Sequence, residues 1–349
     1  GMQSLKGVGR LIEVYAIKDE SLVVPNPEDY TENKIDVHSD DEVPSIAIIP
    51  FDNKGAEEDV FYAYGISADI ISDCSGAGLI RVASLNNIKK IENYKTLQAE
   101  DLANKLDVRY TAEGTLWKMD DMFQLSVELY DTKDSKVIWA DRWQEKWDNL
   151  PSITGSLSDG LLKALDTASK IKKKIDITDT KAYEYYLKGK YKYYNRENKE
   201  DREIARGLLQ KALELDENLL DARGTLGWTY MSSDEYDKSM KYFTENLKRA
   251  NKLGDKLRIA HTYASISSCF INRGKWEVDE SLKMAFKALE IYEEIGNKWG
   301  IAHTLSTIGI IYGNQHLYDK ALEYFFRSLE ISKEIGEKIS ATLGHIGHI

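Results

Sequence analysis

The side chains best able to do chemistry are few and scattered. His261 and His303 lie 42 residues apart, as do Asn272 and Asn314. Imidazoles could move protons or ligate a metal, and carboxamides could clamp a peptide backbone through one donor and one acceptor. His345 and His348 could share a helical face as two metal ligands, but no acid or thiol stands nearby to complete a set, and they read as solvated. The run His345-Ile346-Gly347-His348 also spells a nucleotide-binding signature, here within a helical pattern rather than at the head of an α/β domain. Asp120 and Asp121 are adjacent carboxylates that read as turn formers. Trp117, Trp139, Trp143 and Trp147 could line a ligand pocket, but Trp139 shares a strand face with Val137, and the four read as core. Gly7-x-Gly9 lacks a third glycine and a following helix, and no P-loop, G-x-S-x-G elbow or H-E-x-x-H occurs. Cys74 and Cys269 read as buried free thiols. These features assign no catalytic residue, cofactor or metal.

The elements that could position such groups divide the 349 residues into two textures. In the second half a small residue recurs as Gly189, Gly227, Ser267 and Gly309, at spacings of 38, 40 and 42 residues, followed three places on by an aromatic in the last three. Downstream of each comes a second amphipathic helix, at 204–215, 236–247, 280–292 and 318–331. Each unit predicts a helical hairpin. One hairpin cannot bury its apolar face, so hairpins stack, and the stack leaves a concave face lined by each first helix. After residue 338, ISATLGHIGHI begins another first helix, either part of a fifth repeat or a cap.

This half resembles the tetratricopeptide repeat family in its longer, roughly forty-residue form. The fourth unit carries the likeness best, through Leu305, Ile308, Gly309, Tyr312, Tyr318, Ala321 and Phe325. The second unit departs with Ser239 for alanine, and the third with Ser267 for glycine. On the family's concave positions the resemblance places Tyr183, Tyr186, Lys190 and Tyr193 from the first unit, and Asp221 and Trp228 from the second. His261, Ser265 and Asn272 come from the third, and His303, Thr307 and Asn314 from the fourth. The resemblance implies a groove for a protein or peptide.

The middle of the chain alternates strand and helix signals. VPSIAIIPF (43–51) and LIRVASL (79–85) read as strands, and 58–75 and 97–106 as helices. Alternating segments at 108–119, 122–131 and 136–147 form a meander, and a helix closes the region. This order predicts a mixed sheet with helices on a face. VPSIAIIPFDN, FYAYGISADIISDCS, DLANKLDVRYTAEGTL and LSVELYDTKDSKVIWADRW resemble the TolB-like α/β domain found between class III nucleotide cyclase domains and tetratricopeptide arrays, with Tyr64 and Thr115 as mild departures. LKGVGRLIEVYAI (5–17) resembles the last strand of such a cyclase. The cyclase metal-binding aspartates belong to strands upstream of that one, so the resemblance implies a chain without cyclase activity.

The expected class is therefore α+β and multidomain: a cyclase remnant at 1–24, an acidic linker at 25–43, a TolB-like α/β domain at 44–170, and an all-α tetratricopeptide superhelix at 171–349. Formal charge divides as −6 over 1–44, −7 over 45–170 and +2 over 171–349. With no basic stripe, nucleic acid is not an expected partner. No apolar run approaches ~20 residues and no signal peptide is evident, so the expectation is a cytoplasmic chain away from membranes. A protein or peptide is the expected partner, a homodimer is compatible, and no cofactor is expected. A free-standing scaffold, or the sensor half of a transcription regulator, is the alternative reading.

Overall fold

The computed structural model describes residues 2–3, 12–13, 43–77, 80–167, 179–274 and 277–335. The acidic linker, most of the cyclase-like segment, and the partial fifth repeat with its His345 and His348 lie outside these residues. Residues 1–39 form one compact unit and 40–349 another. In the first, β1 (Met2–Gln3) pairs antiparallel with β2 (Ile12–Glu13), Met2 opposite Glu13.

The second unit begins with β3 (Ser45–Ile48), buried along its whole length. Alternation sends Ile46 and Ile48 into one apolar core and Ala47 and Ile49 into another, as a strand covered on both faces requires. Pro50, which has no N–H for a ladder, follows this strand, and pairing resumes at β4 (Asp52–Asn53). Helix α1 (Val60–Gly76) leads to β5 (Arg81–Val82), and α2 (Leu85–Lys89) and α3 (Ala99–Leu106) lead to β6 (Tyr110–Met119). A meander follows through β7 (Met122–Asp131) and β8 (Lys136–Lys146), and α4 (Leu150–Ala164) closes the region. The sheet order is β5-β3-β6-β7-β8, with β4 also paired to β6; β3 runs parallel to β5 and β6, and the meander is antiparallel. Helices α1 and α4 join the core on one face, and α2 and α3 join that on the other.

Asp120, at φ of 50°, makes the β6–β7 turn as the sequence leads one to expect. Of the four tryptophans, Trp147 is buried with its ring 4.6 Å from that of Tyr62, and Trp139 and Trp143 pack partly buried on the same core. Trp117 is the correction: it is 46% exposed. The β6 register turns Leu116 inward and so sends Trp117 to the outward face opposite Gln124. Cys74 and Cys269 are buried and neither is in a disulfide.

Among the described residues eight further helices follow: α5 (Thr180–Tyr194), α6 (Lys199–Leu215), α7 (Leu220–Met231), α8 (Tyr236–Leu253), α9 (Lys256–Asn272), α10 (Val278–Ile295), α11 (Lys298–Asn314) and α12 (Tyr318–Glu334). Asp179, Asn198, Asp255 and Asn297 cap α5, α6, α9 and α11, each accepting from a backbone N–H three residues on. They pair as four hairpins, and the recurring small residue has a physical cause at each crossing. A Cβ on Gly189 would stand 2.8 Å from Leu209, one on Gly227 2.5 Å from Phe243, and one on Gly309 2.7 Å from Phe325. In the third hairpin Ser267 donates to the Ser281 carbonyl at 2.9 Å. The first helices α5, α7, α9 and α11 lie against one another in sequence as an inner layer.

Candidate functional site

The inner layer of the repeats packs on one helix of the same chain. Helix α1 touches both α5 and α11, the first and last members of that layer among the described residues. It is buried on nearly every side, because it serves two surfaces at once. Tyr62, Ile66, Ile70 and Cys74 face the sheet core. Phe61, Gly65, Asp69 and Gly76, spaced close to the helical repeat, form a second stripe that meets the repeats.

Asp69 is the centre of that stripe. Its Oδ1 accepts from Lys190 Nζ at 2.5 Å and Tyr186 OH at 2.9 Å, and its Oδ2 from Tyr183 OH at 2.7 Å. Burial and the adjoining carboxylate push both phenols well above their usual range. Burial opposes charge on Lys190, but Asp69 outweighs it and the ammonium pKa is raised. The raised values keep Lys190 charged and both phenols protonated as donors to Asp69, which suits fixed recognition of an acidic side chain rather than proton transfer.

Close approach extends the contact along α1. A Cβ on Gly65 would stand 2.7 Å from Leu187, and one on Gly76 3.0 Å from Leu257 of α9. The Tyr64 and Tyr191 rings meet edge-on at 5.1 Å, and Lys188 Nζ sits 4.8 Å over the Phe61 ring. At the far end Asn297, fully buried, donates to the Gly76 carbonyl at 3.2 Å and accepts from Gly300 N at 2.7 Å. Two side-chain bonds flank the helix, Trp147 Nε1 to Glu184 and Lys89 to Asn195.

The twelve groove residues thus separate into distinct settings. Tyr183, Tyr186 and Lys190 come together on Asp69, and the α/β layer occupies their part of the concave face. Tyr193 is buried and donates to the Trp228 carbonyl at 3.2 Å, while Trp228 itself is partly exposed with its ring against Phe243. Asp221 accepts from Arg258 at 2.9 and 3.2 Å, and this carboxylate holds the guanidinium well above its usual range. His261 lies 5.7 Å from the Tyr292 ring, and burial, with Arg258 nearby, pushes its pKa down to about 4. Ser265 donates to the His261 carbonyl. His303 is exposed along one edge but stacks on Trp299 at 5.3 Å, and desolvation lowers its pKa. Thr307 donates to the His303 carbonyl, and Asn272 and Asn314 are exposed. His261, Asn297 and Trp299 also wall a cavity of about 400 Å³ shared with the end of α1 and the edge strand β5.

Asp69, Gly65, Gly76, Asn297 and Trp299 were not among the sequence-derived site residues. A signal for the first three was present: α1 carries a stripe of small and acidic residues beside that of Ile66 and Ile70. Among the described residues no group of three or more His, Cys, Asp or Glu is placed to hold a metal ion, and no helix is long and apolar enough to cross a membrane.

No family model matches the chain. An alignment of 189 positions, covering 52% of the chain, is 25% identical to a Rhizobium meliloti (strain 1021) protein named "Putative adenylate cyclase 3", and spans 32% of that relative's length. Among solved structures, a signal-transduction ATPase with a tetratricopeptide repeat sensor from Pyrococcus horikoshii is 21% identical, with a TM-score of 0.41, over 58% of this chain and 30% of that one. TolB from Acinetobacter baumannii is 20% identical, with a TM-score of 0.29, over 36% of this chain and 29% of that one. The chain is thus similar over about half its length to part of a protein named as an adenylate cyclase, and it joins a mixed sheet to a series of helical hairpins.

Proposed function

We propose that this chain is a non-catalytic regulatory and protein-interaction segment of a class III nucleotide cyclase, a TolB-like α/β domain joined to a tetratricopeptide array. The observation that carries the reading is the Asp69 clamp: the inner face of the repeats grips a helix that is also part of the sheet core. A change in what the array holds would move the α/β domain with it, because α1 belongs to both surfaces. The partial similarity to a protein named as an adenylate cyclase, of which the chain spans 32%, supports the link to a cyclase. Class III active sites form between two subunits, so a segment that alters how subunits meet could alter turnover without touching substrate. The test is cyclic-nucleotide formation by the longer protein, measured with and without residues 44–349. A changed rate on deletion supports the reading; an unchanged rate, or an upstream domain that binds DNA instead, refutes it.

A further inference from the structure

We propose that the partner of the concave face is an amphipathic α-helix imitating α1, with a small residue four positions before an aspartate, and that it competes with α1 for the array. The inference rests on the reading of the repeats as a protein-interaction array and names what that array takes.

The chemistry follows from the occupant already seated. Gly65 lets the helix backbone approach Leu187, and four residues later Asp69 receives three donors from α5. Seven residues further, Gly76 meets Leu257 and the Asn297 amide. A β-branched or long side chain at the first place would collide with Leu187, and a neutral residue at the second would leave the Lys190 ammonium buried without its counter-charge. Charge points the same way. Helix α1 carries Asp69 and Asp73 and no basic residue, the stretch 45–170 sums to −7, and 171–349 sums to +2. The contacts on the array side combine the small Gly65 and Gly76 and the polar Asp69 with the rings of Phe61 and Tyr64, whereas Tyr62, Ile66 and Ile70 keep α1 on its sheet. An incoming helix therefore need only reproduce the array-facing stripe, and the α/β domain would separate with α1 still in place on it.

The probe is a helix-stapled, fluorescent peptide of residues 58–77 with the sheet-facing Tyr62, Ile66, Ile70 and Cys74 replaced by glutamine. Anisotropy titrations compare the full chain with its Asp69→Asn and Gly65→Leu variants, each weakening the internal contact at a different point, after circular dichroism shows them folded. Because an internal competitor reduces apparent affinity by the fraction of open groove, both variants should bind roughly tenfold or more tightly than the unmodified chain. The same peptide carrying Asp69→Asn should fail to bind. On the unmodified chain, saturating peptide should increase the radius of gyration in small-angle scattering as the α/β domain separates. Equal affinity for all three chains, equal binding of the Asp69→Asn peptide, binding of an unstapled proline-containing peptide as an extended strand, or an unchanged radius at saturation would each overturn the proposal. The cyclase assay is independent. Peptide binding without an effect on turnover leaves the partner assignment standing and defeats the regulatory reading, and the reverse result does the opposite.

Discussion

Replacing Lys190 by methionine keeps the aliphatic stem and removes only the ammonium. Asp69 then loses its 2.5 Å charged partner while Tyr183 and Tyr186 still donate at 2.7 and 2.9 Å. Removing one member of a buried ion pair costs ~3–5 kcal/mol, and a hydrogen bond to a charged group is worth ~1.5–3 kcal/mol. Two surviving phenol donors place the expected loss toward the lower end, at about 2–3 kcal/mol. Asp69→Asn should cost a similar amount, because it strands the Lys190 ammonium. The double variant buries neither charge, so its loss should fall short of the sum by about 2 kcal/mol, within the range seen for residues in direct contact. Urea unfolding of the four proteins, followed by circular dichroism at 222 nm, supplies the cycle. Because the pair is nearly buried, the coupling should change little between low and high salt. Additive losses, or a Lys190→Met cost no larger than that of an exposed ion pair, would show that Asp69 does not organise the interface.

Three further outcomes are expected. On α7, Gly224→Ala should stabilise the chain by up to ~1 kcal/mol, since the new methyl would meet Asn246 at an ordinary 3.6 Å. Three residues on, Gly227→Ala should cost about 1–3 kcal/mol, since its methyl would press on Phe243 at 2.5 Å; thermal unfolding separates the two. The folded-state pKa values of Lys190, Tyr183 and Tyr186 are raised, so what these groups contribute is complete below their unfolded values near 10 and is lost as pH climbs past them. Unfolding free energy should therefore hold to about pH 9 and fall above 10, and denaturant titrations should show a shallower fall in the Tyr183→Phe, Tyr186→Phe double variant. His261 works in the other direction: its folded value near 4 lies below the unfolded 6.5, so the unfolded chain takes up the proton first and stability declines as pH falls between them. His261→Gln should flatten that decline, and an unchanged slope in denaturant titrations at pH 4, 5 and 6.5 would refute the assignment.

Where local periodicity and contact coincide, the residues announce the structure. The small residue of each hairpin is readable at 38 to 42-residue spacing because it permits a crossing between two helices near in sequence. The strand at 45–48 is readable as a short apolar run because both its faces are buried, and those at 110–119 and 122–131 because alternation with period two survives where one face is buried. Trp117 was misplaced because aromatic content suggests burial while register alone chooses the face. The short β4 after Pro50 and the five-residue α2 went unread, being shorter than any periodic signal.

By itself the amino-acid sequence determined the two textures of this protein, a mixed sheet and a run of helical hairpins, since both follow from spacings of two to about forty residues. Only the tertiary structure decided what the concave face holds. Asp69 lies 114, 117 and 121 residues before Tyr183, Tyr186 and Lys190, and no local pattern links one helix of the sheet layer to three polar side chains of the first repeat. The sequence shows that α1 has a second, small and acidic stripe. That the stripe finds its ammonium and phenols within the same chain depends on the packing of α1 against α5, and on the cost of burying a carboxylate anywhere those donors are not.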